Sequence, residues 1–108
     1  MFRIPDNLQI EIPQAEVEAF CRQWQIVRLE LFGSVLREDF RPDSDVDVLV
    51  TFGEHIKPRL GDLLQMEDRL RKLLGRSVDL GTRKSVQQDA NYLRRRAILG
   101  STLVIYER

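Results

Sequence analysis

The stretch Leu31-Phe32-Gly33-Ser34, followed after a short gap by Ser44-Asp45-Val46-Asp47-Val48-Leu49-Val50, decides the fold of this chain. It predicts an apolar strand, a Gly-Ser turn, a brief helix, a polar loop and a second apolar strand that opens with two carboxylates. Side chains two residues apart on a strand share a face, so Asp45 and Asp47 should point the same way while the alternating valines face a core. Two like charges this close repel by roughly 1 kcal/mol or more even in water. The pair therefore predicts a divalent-metal site on a rigid element.

Gly33 and Ser34 predict the complementary half of such a site. A glycine at the end of a strand allows a sharp turn and a close approach of ligand to main chain. We expect residues 34–38 to open a helix whose free N–H groups and dipole suit a phosphate, and the Ser34 hydroxyl adds a donor. A phosphate cradle beside a carboxylate pair predicts a site for a magnesium–nucleotide complex.

The full string resembles the signature of the DNA polymerase beta-like nucleotidyltransferase superfamily: Gly33-Ser34-x-x-Arg37, then Ser44-Asp45-x-Asp47. More narrowly, it resembles the minimal nucleotidyltransferase (MNT) proteins that are encoded beside HEPN-domain partners. That family carries a third carboxylate on a later strand, after a helix that ends in Leu-Leu-Gly-Arg. Residues 73–80, LLGRSVDL, fit this pattern and place Asp79 in that role. The similarity runs from about Ile12 to Glu107.

The resemblance implies nucleotidyl transfer, in which an acceptor hydroxyl attacks the α-phosphorus of ATP and pyrophosphate leaves. It implies that Asp45, Asp47 and Asp79 are the catalytic residues and bind Mg²⁺, with two metal positions, while Gly33 and Ser34 grip the distal phosphates. The implied acceptor is a tyrosine of a HEPN-type toxin, for which this chain would be the antitoxin and with which it would form a hetero-oligomer.

Two further residues are candidates for nucleotide binding. Arg37 could reach a phosphate or form a salt bridge to a loop carboxylate. Ser44 could hydrogen-bond within its turn and orient the carboxylate pair. We interpret Asp39 and Asp43 as loop and cap residues, because they lack the fixed geometry of a strand, and His55, the sole histidine, as a solvated loop residue.

Hydrophobic periodicity predicts the remaining elements. The lead-in, Met1–Ile12, should form an edge strand or an extended arm. The expected order after it is a helix from Pro13 to about Gln25, a strand at Ile26–Phe32, a helix at Leu60–Leu74 capped by Gly75, a strand at Ser77–Gly81, a helix at Gln88–Leu99 and a strand at Thr102–Tyr106. This order predicts an α/β domain of the nucleotidyltransferase fold, with a mixed, mostly antiparallel sheet and helices packed on one side.

The amino-acid composition disfavours several classes of protein. The 108 residues predict a single domain, residues 1–108, and the 17 basic and 17 acidic side chains balance. Nucleic-acid binders are more often basic overall, so no direct nucleic-acid binding is expected. The single Cys21 cannot form an internal disulfide, and we find no apolar run of membrane-spanning length and no signal-peptide pattern. These features predict a cytoplasmic protein without membrane contact.

Two other functions stay open at this stage. The chain could be a binding module, an antitoxin that neutralises its partner by contact while its nucleotide site is vestigial. It could also be a nucleotidyltransferase for a small molecule or an RNA end, although it has no recognisable site for such an acceptor. Arg83, Lys84 and the triplet Arg94–Arg96 could meet a phosphate or a partner, or form a solvated surface.

Overall fold

The computed structural model describes residues 4–5, 8–38 and 40–108. Helices and strands alternate along much of the chain, which makes the fold α/β, as predicted. In chain order the elements are α1 (Gln14–Gln23), β1 (Ile26–Phe32), a 3₁₀ turn (Gly33–Leu36), β2 (Val46–Phe52), α2 (Leu60–Leu74), β3 (Val78–Thr82), α3 (Arg83–Gln87), α4 (Tyr92–Leu99) and β4 (Thr102–Glu107).

The described strands form a four-stranded sheet in the order β3-β2-β1-β4. β1 is antiparallel to both β2 and β4, whereas β2 and β3 are parallel. Two parallel neighbours need a long crossover that returns the chain to the same end of the sheet, and α2 provides it. The sheet is mixed and mostly antiparallel, which confirms the predicted fold class.

One face of the sheet carries the hydrophobic core. Leu29 and Leu31 of β1 pair with Val50 and Val48 of β2 across the ladder, and all four are fully buried. The two longest helices contribute to the same cluster with their apolar faces, through Val17, Phe20 and Cys21 of α1 and Met66 and Leu70 of α2. Because an amphipathic helix must bury its apolar side, α1 and α2 lie on this face.

The opposite face of the same strands is polar, because successive side chains of a strand alternate. It carries Glu30 on β1, Asp47 on β2 and Asp79 on β3. Asp47 and Asp79 are register partners on adjacent parallel strands, which lie about 4.8 Å apart in a sheet. The fold therefore brings these two carboxylates together on one surface.

The local signals that fix α2 are visible at both of its ends. The Arg59 N–H donates to Asp62 Oδ2 at 2.9 Å and so satisfies an exposed donor of the first turn. Gly75 closes the helix with a φ of 65°, a left-handed conformation that glycine adopts without strain. The predicted bounds of α2 and β1 are both confirmed.

The predicted final helix, Gln88–Leu99, is wrong in its first turn. The chain forms α3 directly after β3 and then begins α4 at Tyr92. The helix therefore begins four residues later than predicted, and α3 was not predicted. Side-chain caps begin both helices: Thr82 Oγ1 accepts the Ser85 N–H at 3.1 Å, and Asn91 Oδ1 accepts the Arg94 N–H at 3.0 Å. Each cap begins a separate helix.

Of the predicted lead-in, residues 4–5 and 8–12 are described, and none of them belongs to a strand. The edge-strand alternative is therefore wrong for these residues. Ile10 is nevertheless buried against the core, so the described part of the arm packs onto the domain.

Candidate active site

The site is built around a contact between Gly33 and Asp47. Phe32, the last residue of β1, pairs with Asp47 across the antiparallel ladder, and Gly33 follows it with a φ of 76°. A Cβ atom at position 33 would collide with the Asp47 Oδ2 atom. Glycine is thus favoured by the left-handed backbone, and a side chain here would displace the Asp47 carboxylate from its present position.

Asp45 and Asp79 act electrostatically on Asp47. Burial is the largest cause that raises the pKa of the half-buried Asp47 carboxyl, and the negative charges of Asp79 and then Asp45 raise it further. The guanidinium of Arg37 acts in the opposite direction, without cancelling them. The predicted proximity of the three carboxylates is thus reflected in the charge environment of Asp47. Asp45 itself lies one residue before β2 rather than inside the strand.

A metal ion would find oxygen donors here, but not a closed cage. Within the described ranges, no group of three or more His, Cys, Asp or Glu side chains is arranged to hold a metal ion. Mg²⁺ is commonly held by one or two carboxylates together with substrate phosphates and water. The all-carboxylate donor set fits a magnesium–nucleotide complex in which the nucleotide completes the coordination.

The turn after β1 differs from the predicted helix over residues 34–38. It is a single 3₁₀ turn, Gly33–Leu36, and Arg37 already has extended backbone angles, with a φ of −120° and a ψ of 163°. So short a segment cannot build up an α-helix macrodipole. The helix dipole is therefore lost as a contribution to phosphate binding. The donors that remain are main-chain N–H groups and the hydroxyl of Ser34.

Arg37 and Ser44 lie at the two ends of the loop that links this turn to β2. The Arg37 N–H donates to the Ser34 carbonyl at 2.9 Å, and its guanidinium is near enough to Asp47 to lower the pKa of that carboxyl. The Ser44 hydroxyl accepts the Arg41 N–H at 3.0 Å, and the Ser44 N–H donates back to the Arg41 carbonyl at 3.0 Å. The interpretation of Ser44 as a turn-closing residue is confirmed, while nucleotide binding by either residue stays a prediction.

The remaining candidates from the loops lie apart from these contacts. Asp43 is exposed in the turn that precedes Ser44. His55 is exposed in the loop between β2 and α2, with a φ of 68°. Asp39 lies outside the described residues.

A cleft of about 300 Å³ lies over the polar face of the sheet, beside the carboxylates. Its floor comes from the sheet and its walls from α3, α4 and the segment between them. The lining combines acidic, hydroxyl and apolar side chains with one arginine: Phe32, Asp47, Leu49, Asp79, Gly81, Thr82, Ser85, Val86, Asp89, Arg94 and Ile98. The lining is thus mixed, and its convergent polar groups suit a polar or charged ligand.

Sequence reasoning missed a buried ion pair under this cleft. Glu30 has no exposed surface, and both its carboxylate oxygens accept from Arg83 Nη1, at 2.7 and 2.6 Å. The Thr102 hydroxyl donates to Glu30 at 3.0 Å, and Arg28 Nε lies 3.3 Å from it. The available signal was the pair Arg28 and Glu30, which lie two residues apart and so on the same face of a strand whose other residues are apolar. The pairing of Glu30 with Arg83 could not be identified, because Arg83 is 53 residues away along the chain.

The mixed sheet, with Gly33 packed against Asp47 and with Asp45 and Asp79 nearby, defines an α/β domain of the nucleotidyltransferase type. Residues 16–105 match the nucleotidyltransferase domain family, and the protein belongs to that family. No helix in the described part of the chain has the length and apolar character needed to cross a membrane.

Two relatives narrow the comparison. A protein of Methanocaldococcus jannaschii, provisionally named as a protein adenylyltransferase, is 36% identical over 64 residues, which are 59% of this chain and 64% of that protein. This chain thus spans somewhat less than two thirds of that relative. The protein adenylyltransferase MntA of Thermococcus cleftensis is 42% identical over 57 residues, or 53% of this chain and 56% of the relative.

Two solved structures share the architecture. A provisionally assigned minimal nucleotidyltransferase is 33% identical, with a TM-score of 0.63 over 83% of this chain and 86% of that chain. A chain from the complex of a tri-AMPylated HEPN toxin of Shewanella oneidensis with an MNT antitoxin is 15% identical, with a TM-score of 0.58 over 88% of this chain and 70% of the other. At that identity the second likeness shows the fold alone.

Proposed function

We propose that this protein is a magnesium-dependent nucleotidyltransferase that transfers AMP from ATP to a protein hydroxyl. The observation that carries the proposal is the packing of the Asp47 carboxylate against Gly33, with Asp45 and Asp79 close enough to raise the pKa of Asp47. Like charges that lie close together disfavour one another's ionised forms, and a bound cation would stabilise those forms. The names of the two archaeal relatives support AMP as the transferred group and a protein as the acceptor.

In the proposed reaction the oxygen of the acceptor hydroxyl bonds to the α-phosphorus of ATP. The bond from that phosphorus to the oxygen shared with the β-phosphorus breaks, pyrophosphate leaves with the electron pair, and the hydroxyl proton passes to a base. Asp45 and Asp47 would hold Mg²⁺, and Asp79 would complete a second metal position and help to remove the proton. Bound Mg²⁺ would neutralise charge on the phosphate oxygens.

The other residues of the site would position the nucleotide. The main chain at Gly33 and the hydroxyl of Ser34 would bind the distal phosphates, because a residue without a side chain lets them approach the backbone. Arg37, whose guanidinium acts on Asp47, could extend to the same phosphates. Ser44 would keep the preceding turn closed and so orient Asp45.

We further propose that the acceptor is a tyrosine of a HEPN-type toxin and that AMP transfer makes this chain an antitoxin. The complex of an AMPylated HEPN toxin with an MNT antitoxin, which shares this fold, supports that choice of partner. The side chain of Asp79 is exposed. A hydroxyl that is presented by another protein can therefore approach the carboxylates from solvent.

A second candidate function is a non-catalytic antitoxin that neutralises its partner by binding. It is supported by the same shared fold, because an antitoxin that forms a complex with its toxin can neutralise the toxin by contact. The two functions differ in what the carboxylates do, and this difference can be measured.

The test uses the variants Asp45→Asn, Asp47→Asn and Asp79→Asn with a HEPN-domain protein from the same genome. In Mg²⁺ and ATP, the wild type should add an AMP-sized mass to the partner, measured by intact-protein mass spectrometry. Each asparagine variant should transfer at least ~10²–10³-fold more slowly, the usual cost of removing one preorganised electrostatic contact.

His55→Ala is the matched control, since His55 lies in a loop away from the cleft, and it should transfer AMP at the wild-type rate. The variants should still co-purify with the partner. The catalytic function would be rejected in favour of the binding function if the wild type adds no mass to the partner and the asparagine variants neutralise the toxin equally well.

A further inference from the structure

The arginines of the C-terminal region have different surroundings. Arg83 is engaged by the buried Glu30. Arg95 donates from Nη1 to the Asp89 carbonyl at 2.8 Å, and its guanidinium lies 5.4 Å from the centroid of the Tyr92 ring. These two arginines therefore hold the protein's own elements together.

Arg94 and Arg96 remain, and they differ in position. Both side chains are exposed, but Arg94 lines the cleft that contains Asp47 and Asp79, whereas Arg96 is not part of that lining. Both belong to α4, and side chains two residues apart on a helix do not share a face. The chain thus offers one arginine inside the cleft and a matched one outside it.

The charges of the cleft give Arg94 a specific role. Its lining contains three carboxylates, those of Asp47, Asp79 and Asp89, and among the described lining residues Arg94 is the one cation. A triphosphate that enters such a cleft meets charges of its own sign. A guanidinium offers a planar set of N–H donors that matches phosphate oxygens.

Local structure holds Arg94 in this place and leaves it able to bind. Its backbone N–H is fixed by the Asn91 cap at 3.0 Å, and Asn91 in turn donates its N–H to Asp89 Oδ1 at 2.9 Å. Arg94 Nε lies 3.7 Å from Asp89 Oδ2, which is longer than a charge-assisted hydrogen bond. The position lies in the first turn of α4, where the helix dipole disfavours a cation. An anionic ligand would relieve that cost.

We propose that Arg94 is a nucleotide-binding residue, whose guanidinium contacts the triphosphate of ATP from the α4 side of the cleft. This assignment rests on the proposed nucleotidyltransferase function and adds a cation that the carboxylate and Gly-Ser motifs do not include. It also gives the three arginines of the triplet different roles. Arg94 binds substrate, Arg95 fixes the loop before α4, and Arg96 is a surface residue.

The test compares Arg94→Gln with Arg96→Gln by titration calorimetry. Each substitution removes one positive charge from the same helix, so general electrostatic effects cancel in the comparison. Arg94→Gln should weaken binding of ATP in the presence of Mg²⁺ by about 10- to 100-fold, the range for losing a charge-assisted hydrogen bond. Inorganic tripolyphosphate with Mg²⁺ should show a similar loss, because the contact is to phosphate. Arg94→Lys should recover part of the affinity, and Arg96→Gln should bind like the wild type.

The outcomes separate this inference from the function on which it rests. If the wild type binds ATP with Mg²⁺ and Arg94→Gln binds equally well, the assignment of Arg94 is overturned while the proposed function stands. Equal losses in Arg94→Gln and Arg96→Gln would also overturn it, in favour of a general effect of charge. A wild type that binds no nucleotide and transfers no AMP would overturn both.

Discussion

The two faces of the sheet differ in what their side chains do: one face builds the hydrophobic core, and the other carries the charged groups. Neighbouring residues of β1 belong to opposite faces. Leu29 and Leu31 are buried in the core beneath the long helices, while Glu30 between them points into the polar face. On β2, Asp47 is likewise flanked by fully buried valines. A strand anchored by its apolar residues cannot shift its polar ones. The core thus makes the site rigid.

A second contrast lies within the polar face, between Glu30 and Asp47. Glu30 is fully buried and is surrounded by two arginines and a threonine hydroxyl. Asp47 is half-buried, and its like-charged neighbours and its burial outweigh the effect of Arg37. One carboxylate is stabilised by the protein itself. The other is kept in an environment that a bound cation would improve, which distinguishes a structural charge from a functional one.

The largest effect on stability is expected from removing one member of the buried ion pair between Glu30 and Arg83. Glu30→Leu leaves Arg83 without its partner in a mostly buried position, and removing one member of a buried pair typically costs about 3–5 kcal/mol. Arg83→Met should destabilise the protein for the same reason. Urea denaturation at neutral pH would measure both free energies of unfolding.

The double variant Glu30→Leu/Arg83→Met is the control for that experiment. Replacing a buried ion pair by apolar groups of similar size is often close to neutral. Arg28 keeps Glu107 as its other partner, at 3.5 Å, so the double variant should recover most of the lost stability. Additive losses would mean that the two side chains do not depend on each other, against the contact in which Arg83 Nη1 donates to both carboxylate oxygens of Glu30.

An intermediate effect is expected at the boundary between the two faces, at Gly33. Gly33→Ala places a Cβ against Asp47 Oδ2 and forces alanine into a left-handed conformation, which costs roughly 1–2 kcal/mol. Gly75→Ala is a matched control, because its φ of 65° is similar and no atom lies within 4 Å of the added Cβ.

Both glycine variants should lose similar stability from backbone strain, and Gly33→Ala somewhat more. Affinity for ATP with Mg²⁺ should fall at least ~10-fold in Gly33→Ala and stay unchanged in Gly75→Ala. Equal nucleotide affinity in the two variants would mean that the Gly33–Asp47 contact does not shape the site.

The sequence predicts those parts of the structure that local patterns determine. β1 and α2 have their predicted bounds because apolar periodicity and a glycine cap act within a few residues. Strand alternation also predicts that Asp79 faces away from Val78 and Leu80, whereas its register pairing with Asp47 depends on which strands are neighbours. The first kind of feature needs no knowledge of distant contacts.

The parts that sequence reasoning missed depend on competition or distance. The expected helix after Ser34 became a 3₁₀ turn, because the backbone is left-handed at Gly33 and extended again at Arg37. The final helix begins at Tyr92 rather than at Gln88, because the side chain of Asn91 caps it there, and α3 before it was not predicted. The contact between Glu30 and Arg83 depends on the packing of α3 over the sheet, which no local pattern encodes.

The smallest effect is expected for the stability of the metal-free protein when Asp47 is replaced. It is also the sharpest test of the contrast between Glu30 and Asp47. A carboxyl whose pKa is raised by folding stabilises the protein fully at low pH and loses that contribution as the pH rises through its folded pKa. At neutral pH the ionised Asp47 therefore opposes folding. Asp47→Asn removes this charge while it keeps the size of the side chain. In EDTA at neutral pH the variant should be more stable than the wild type, by less than ~1 kcal/mol, a typical size for a partly exposed charge interaction.

The difference should shrink as the pH falls, because protonation removes the same charge from the wild type. Asp43→Asn, an exposed residue of the preceding turn, is the control and should leave stability unchanged. Added Mg²⁺ with ATP should reverse the order, since a ligand that binds the folded wild type stabilises it and the variant has lost a donor. An Asp47→Asn variant that is less stable than the wild type in EDTA would show that attraction to Arg37 prevails. Asp47 would then be a structural charge like Glu30.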